Sequence, residues 1–173
     1  MTTAGRRIPP FQRFLDEQRT IVYRFLLATV GPSDADDCFQ ETFLAALRAY
    51  PKLRNADNLR GWVMAIATRK AIDMARSRAR GPEPVPDIAG VLSERVRFEA
   101  EPTTPGAFDD DSLWREVLEL PPRQRVALVH RVLLDRPYPE LAAAMGISVD
   151  AARANVYQAL KRLRGGVRKR EAV

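Results

Sequence analysis

Three groups of side chains in this sequence could do chemistry, and all three act by charge. Asp34, Asp36, Asp37, Gln40 and Glu41 crowd into DADDCFQETF, residues 34–43. Arg60, Arg69, Lys70, Arg76, Arg78 and Arg80 punctuate DNLRGWVMAIATRKAIDMARSRAR, residues 57–80. Lys161, Arg162, Arg164, Arg168, Lys169 and Arg170 close the chain after VDAARANVYQAL. A carboxylate face pairs with a cationic surface, and cationic helices pair with phosphates. The formal net charge of +6 and a sequence pI near 10.0 make nucleic acid the first expected partner.

Acid–base, nucleophilic and metal chemistry lack their parts. His130, the one histidine, lies in VALVHRVLL with no acid or cysteine at i±3 or i±4, so it reads as a core-edge or surface residue and not as a base. One histidine and one cysteine cannot build the usual Cys/His metal site. Phosphate-loop, dinucleotide and nucleophile-elbow motifs do not occur. No enzyme activity, cofactor or metal is expected. Cys38 alone excludes an intramolecular disulfide and fits a reducing cytoplasm. MTTAGRRIPP is not followed by the apolar run of a signal peptide, and nothing approaches a membrane span of about 20 apolar residues.

The elements that must carry these groups are all helices, since no alternating strand pattern occurs. The expected fold is all-α: two small helical domains joined by a flexible linker, the second domain a helix-turn-helix. The first domain covers 8–80 and the second 109–170. The segment 81–108 between them is broken by Pro82, Pro84, Pro86, Pro102 and Pro105 and reads as a tether between units placed apart. An opening helix carries Phe11, Phe14, Leu15, Ile21, Val22, Phe25, Leu26 and Val30 and stops at Gly31-Pro32. Ser33 then reads as an N-cap answered by Asp36, and the helix runs to Tyr50 before Pro51. A third helix spans about 59–80. In the second domain Trp114, Val117 and Leu118 mark a short helix, and Pro121-Pro122 open the next, with Val126, Val129, Val132 and Leu133 as its core face.

On the second helix Ala35, Phe39, Thr42, Phe43, Ala46 and Tyr50 share one side, and Asp37, Gln40, Glu41, Leu44 and Arg48 the other. Two accounts of the acids stand. They complement the helix macrodipole in its first turn, or, with Leu44, they form a mixed protein-binding patch. On the third helix Leu59, Val63, Ile66, Ala67 and Met74 can face inward, leaving Trp62, Arg69, Asp73, Arg76 and Arg80 in an outward stripe. Trp62 is either core or a platform for unpaired bases, and Asp73 with Arg76 reads as an i,i+3 pair.

YPELAAAMGISVDAARANVYQALKRLR has the layout of a helix-turn-helix. Pro139 to Met145 form the first helix, Gly146 makes the turn, Ile147 plugs it and Ser148 caps the second helix. Ala152, Val156, Ala159, Leu160 and Leu163 face in, while Asp150, Arg153, Ala154, Tyr157, Gln158 and Lys161 face out. Early outward residues of such a helix meet base edges and its basic end meets phosphate, so Arg153 is the candidate guanine reader.

DADDCFQETFLAAL resembles the polymerase-binding helix of the extracytoplasmic function (ECF) group of sigma-70 family RNA polymerase sigma factors, with Asp36-Asp37 and Gln40-Glu41-Thr42-Phe43 carrying the likeness. Trp62, Ile66-Ala67 and Asp73-x-x-Arg76 resemble the family helix that melts and reads the minus-ten promoter element. Leu-Pro-x-Arg-Gln-Arg from Leu120 and Met-Gly-Ile-Ser-Val from Met145 resemble the domain that reads the minus-thirty-five element. Asn155, Tyr157 and Gln158-Ala159-Leu160 depart from that domain's usual residues. The likeness covers about residues 11–80 and 110–165.

The resemblance implies a sigma factor that binds core RNA polymerase and directs promoter-specific initiation. Asp36, Asp37, Gln40, Glu41 and Leu44 would dock on the clamp helices of the largest subunit, with the flap of the second-largest subunit as a further contact. Asn55, Asn58, Trp62, Arg69, Lys70, Arg76 and Arg80 would bind single-stranded downstream DNA, with the 53–59 loop accepting a flipped base. Ser148, Asp150, Arg153, Ala154, Tyr157, Gln158 and Lys161 would bind the upstream duplex. An anti-sigma partner is also implied. The main rival is a helix-turn-helix regulator acting without polymerase, which has no use for the acidic face; a nucleic-acid-processing enzyme and a structural adaptor explain less of the sequence.

Overall fold

Helix α1, Phe11–Val30, begins after Pro10 and buries Phe14, Gln18, Val22, Phe25, Leu26 and Thr29 along one stripe. The structure, a computed structural model, describes residues 7–80 and 111–171, and every regular element among them is helical. The expected linker at 81–108 lies outside the described residues. Gly31 stops α1 at φ +85°, ψ 168°, a backbone region open essentially to glycine alone.

Helix α2, Pro32–Ala49, follows at once. Proline at N1 loses no hydrogen bond, so the helix starts one residue before the expected cap. Ser33 therefore caps nothing, and its hydroxyl accepts a hydrogen bond from Arg78 at 3.2 Å. A 3₁₀ turn, Tyr50–Lys52, carries Pro51 and ends the second helix, and α3 spans Leu59–Ala79. Tyr50 closes the bottom of this unit: its hydroxyl donates to the Pro9 carbonyl at 2.8 Å and its ring meets Phe11 and Phe14.

The second unit holds α4, Asp111–Glu119; α5, Pro122–Val132; α6, Tyr138–Met145; and α7, Val149–Glu171. Gly146 takes the left-handed conformation, φ +64°, at the turn between α6 and α7, as its place in the sequence predicts. Ser148 does cap α7, accepting from the Ala151 N–H at 3.1 Å. Ala127, Leu141, Ala142, Ala152 and Val156 form a small core inside this helix-turn-helix.

A larger core joins the two units. Phe25, Leu26, Val63, Met64 and Ala67 of the first unit share one continuous apolar cluster with Val117, Leu120, Val126, Val129 and Ala159 of the second. Helices α5 and α6 lie against α3, and α4 and α5 lie against α1. The described residues of both units bury surface on each other at this core.

That contact explains which burial expectations fail. α3 is covered on two sides, so Met64, Thr68, Ala71 and Ile72 are buried with Val63 and Ala67, while Leu59, Ile66 and Met74 are only partly so. α5 turns His130 inward, at 2% exposure, and leaves Val132 and Leu133 outside at 70% and 37%. His130 is therefore interior and not at a core edge. On α7, Leu160 is exposed and Leu163 half-buried, leaving Ala152, Val156 and Ala159 as the buried stripe.

Candidate protein and nucleic-acid interfaces

Two faces of α2 do different work. Its inner face buries Ala35, Cys38, Thr42, Phe43 and Ala46. Burial, with Glu41 next in effect, pushes the Cys38 thiol up to about 12, so this cysteine packs and does not react. The outer face exposes Asp37, Gln40 and Glu41 beside Leu44 and Leu47, two leucines each about half exposed. Exposed leucines on a rigid helix, with acids along the turns before them, have the composition of a protein interface. Sequence reasoning missed Leu47, although Gln40, Leu44 and Leu47 follow the i, i+4, i+7 stripe of a single helix face.

The acids of this stretch are not equivalent. Asp34, mostly buried, pairs with Arg78 of α3, which ties α2 to α3. Asp36 accepts from the Tyr23 hydroxyl at 3.0 Å; burial first, and then Asp36, raise the Tyr23 pKa. Glu41 accepts from Lys70 at 3.0 Å, with both groups partly in solvent. An exposed pair of this kind is worth about 0–1 kcal/mol, so it leaves Glu41 free to change partner. Asp37 and Gln40 are exposed.

The residues proposed for single-stranded DNA divide into a loop and a helix. In the loop, Asn55 Oδ1 accepts from the Asp57 N–H at 3.2 Å, and Asn58 Oδ1 accepts from the Gly61 N–H at 2.9 Å to cap α3. Gly61 permits that cap, since a Cβ there would stand 2.4–2.7 Å from the Asn58 amide. Both amide oxygens are thus committed to backbone. Beside them opens a groove of about 470 Å³ lined by Arg7, Arg13, Gln18, Asp57, Asn58 and Arg60. Gln18, nearly buried, accepts from Arg60 Nε at 3.3 Å across its floor. The groove's α1 wall, Arg13 and Gln18, lay outside the sequence reading, because no local pattern places α1 beside the 53–59 loop.

On the helix, Arg69, Arg76 and Arg80 are exposed and Lys70 partly so. Trp62 is half-buried, with its ring 5.8 Å from Phe14 and 6.0 Å from Tyr50. Packing fixes the indole, and only its outer part meets solvent.

In the helix-turn-helix, Ser148, Asp150, Arg153, Ala154, Tyr157, Gln158 and Lys161 are all exposed on one side of α7 and its start. The Arg153 guanidinium lies 5.6 Å from the centre of the Tyr138 ring and 3.4 Å from Asp150. The Arg131 guanidinium lies 5.5 Å from the same ring. Contacts with aromatic faces of this kind are worth about 0.5–1 kcal/mol at exposed sites and hold the side chain near the helix start. Asn155 turns back to its own helix, its amide donating to the Ala151 carbonyl at 2.8 Å.

No cluster of three or more metal-binding side chains occurs among the described residues, and no helix among them is long and apolar enough to cross a membrane. The arrangement offers one acidic, apolar-centred surface and two cationic ones.

Known proteins divide the chain in the same way. The family model Sigma-70 region 2 matches residues 11–81, and Sigma-70, region 4 matches residues 110–163. The ECF RNA polymerase sigma factor SigD of Mycobacterium tuberculosis is 35% identical over 159 residues, which cover 87% of this chain and 73% of that protein. RNA polymerase sigma factor SigV of Bacillus subtilis is 27% identical over 143 residues, covering 82% and 81% of the two chains. Among solved structures, the sigma factor RpoE of Bartonella quintana, bound to the anti-sigma factor NepR, has the same fold: TM-score 0.68, 22% identity, and 91% of this chain and 96% of that one covered. CnrH, in complex with the cytosolic domain of CnrY, superposes with TM-score 0.61 at 19% identity over 92% of this chain and 88% of that one. The chain belongs to the ECF RNA polymerase sigma factors of the sigma-70 family, proteins that bind core RNA polymerase and direct it to promoters.

Proposed function

We propose that the outer face of α2 is where this sigma factor meets polymerase. Asp37, Gln40 and Glu41, with Leu44 and Leu47 following them on the same helix, dock on the arginine-bearing clamp helices of the largest subunit, while Asp36 orders the first turn through Tyr23. The observation that carries this reading is the exposed Leu44–Leu47 pair, held by a helix whose opposite face is core and preceded on its outer face by Asp37, Gln40 and Glu41 in a chain of net charge +6. Apolar centre and charged rim match the anatomy of a protein interface. Glu41 exchanges Lys70 for a clamp arginine when the complex forms.

DNA is read at two places. The groove beside the 53–59 loop receives an unpaired base of the minus-ten element, with Arg13, Arg60 and the Asn58 amide nitrogen as its polar contacts and Asn55 shaping the turn. Exposed Arg69, Arg76 and Arg80, with Lys70, carry the strand's phosphates. Trp62 contributes a ring edge and not a free platform. Ser148, Asp150, Arg153, Ala154, Tyr157, Gln158 and Lys161 enter the major groove of the minus-thirty-five duplex, with Arg153 on base edges and Lys161 on phosphate. The second domain also contacts the flap of the second-largest subunit.

The chain catalyses nothing; polymerase supplies the chemistry, in the cytoplasm. An anti-sigma protein holds it in reserve, a proposal supported by the likeness in fold to RpoE bound to NepR and CnrH bound to CnrY. Glu41→Arg tests the docking face. It should abolish capture of core polymerase with helicity unchanged, whereas Lys70→Ala, which removes only the internal pair, should retain capture. Equal capture by wild type and Glu41→Arg would defeat the assignment.

A further inference from the structure

Two guanidinium groups converge on one aromatic ring beside the upstream-reading face. Tyr138 is the first residue of α6 and sits between Pro137 and Pro139, whose fixed φ angles restrict the backbone on both sides of it. Its half-buried ring packs against the small core of Ala127, Leu141, Ala142, Ala152 and Val156. The ring therefore belongs to the rigid part of the helix-turn-helix. The Arg131 guanidinium lies 5.5 Å from its centre and the Arg153 guanidinium 5.6 Å.

The two arginines differ in what else holds them. Arg131 donates to Asp135 Oδ1 at 2.9 Å and to the Arg136 carbonyl at 3.4 Å. Asp135 closes that turn at φ +46°, a left-handed conformation that aspartate tolerates better than most residues. Arg131 is thus fixed by the α5–α6 turn. Among the described residues, Arg153 has one other polar contact, Asp150 at 3.4 Å, and both of those side chains are exposed. Such a pair contributes little and is screened by salt. Tyr138 is the rigid group against which the Arg153 guanidinium rests.

That difference matters for reading DNA. A loosely held arginine samples many rotamers and can meet phosphates or several base edges, so it adds affinity to any sequence. One held against a ring starts near a single direction and loses less freedom on docking, which concentrates its contact on one base. Docking also excludes water from the pair, and the attraction between a cation and a ring face strengthens as water leaves.

We propose that Tyr138 is a positioning residue for upstream-element reading: its ring holds the Arg153 guanidinium at the start of α7 in the pose that meets a base edge, and so sets how strictly that base is read. The proposal rests on the base-reading role given to Arg153 above. Tyr138 acts through Arg153 and needs no contact of its own with DNA.

The test uses core RNA polymerase loaded with the full chain, a duplex promoter library randomised over the upstream element, and sequencing of the bound templates. Arg153→Ala identifies the position that Arg153 reads. Tyr138→Leu, which keeps an apolar group on the core, should lower the base preference at that same position by about two- to fivefold, the ratio that a cation–ring contact supports. Preferences at other positions, and total DNA bound, should hardly change. Tyr138→Phe keeps the ring face and should keep the wild-type preference. Adding Tyr138→Leu to Arg153→Ala should produce no further loss. In the free chain, nitrogen relaxation at Arg153 Nε should report an ordered side chain in wild type and Tyr138→Phe and a mobile one in Tyr138→Leu. Losses that add in the double variant, or a Tyr138→Phe loss spread over every sequence, would overturn the proposal; the second result would make the hydroxyl a phosphate contact. An Arg153 Nε as mobile in wild type as in Tyr138→Leu would overturn it even if Arg153 reads a base. Arg153→Ala without effect on any preference would instead remove the base-reading role, and positioning with it, while the relaxation data still show whether the ring holds the side chain.

Discussion

Lowering the pH from 7 to 5 should destabilise this fold through a single residue, His130. Its imidazole is 2% exposed. The Thr68 hydroxyl donates its proton to the Met64 carbonyl at 2.7 Å, so toward His130 it can only accept, and Nε2 must carry the hydrogen. Nδ1 is then the bare nitrogen, buried without a partner. Adding a proton there would bury both a charge and an unmatched N–H. Burial, and secondarily the nearby Arg136, accordingly lower the pKa from 6.5 to about 4. Because the pKa is depressed in the folded chain, the stabilisation is complete above 6.5 and is lost as pH falls from there toward 4. The whole shift corresponds to about 3 kcal/mol, of which about 2 kcal/mol is lost by pH 5. Against a typical domain stability of about 5–15 kcal/mol that is a measurable fraction. Urea denaturation at pH 7 and pH 5, on wild type and on His130→Gln, isolates it. Glutamine can still donate to Thr68 and does not titrate, while carboxylates contribute equally to both proteins. The variant should lose about 2 kcal/mol less than wild type over this interval. Equal losses would refute the assignment of His130 as a neutral buried group.

Gly31→Ala should cost about 1–3 kcal/mol in denaturation, because alanine cannot hold φ +85°, ψ 168°, although its Cβ would find ordinary contact with Leu118. Arg125→Met should cost about 1.5–3 kcal/mol by removing charged donors from the Thr29 and Leu120 carbonyls; a loss below 0.5 kcal/mol, about that of a surface change, would show that the bridge is idle. Arg153→Ala should weaken binding to the upstream duplex by about 1–3 kcal/mol and relax its sequence preference at one position, read by competition with mutated sites; uniform loss on every sequence would reveal a phosphate contact instead.

The helices were legible because their ends are written in residues of fixed conformation. Gly31, Pro51, Pro122 and Gly146 all mark boundaries where the sequence places them. Ser33 misled because a serine before a helical run looks like a cap, while Pro32 can itself open the helix. Burial was legible only where a helix has one buried face. α2 obeyed its periodicity, and its outer stripe of Asp37, Gln40, Glu41 and Leu44 is exposed as expected. α3 and α5 are covered from two directions, and their second faces mix Met64, Ala71 and Ile72 with the polar Thr68 and His130, so no single apolar stripe marks them. Val132, Leu133 and Leu160 are apolar, yet nothing among the described residues covers them fully. The groove by Asn58 was half legible for the same reason: the loop is local, whereas Arg13 and Gln18 arrive from α1 through the tertiary fold.

Run-off transcription with purified core RNA polymerase on a random promoter library tests the central claim most directly. The wild-type chain should direct transcripts from a defined subset of templates that share two spaced elements, and Glu41→Arg should abolish them. Transcription no different from that of core polymerase alone, from a chain that still binds duplex DNA, would contradict the account and leave a DNA-binding regulator in its place.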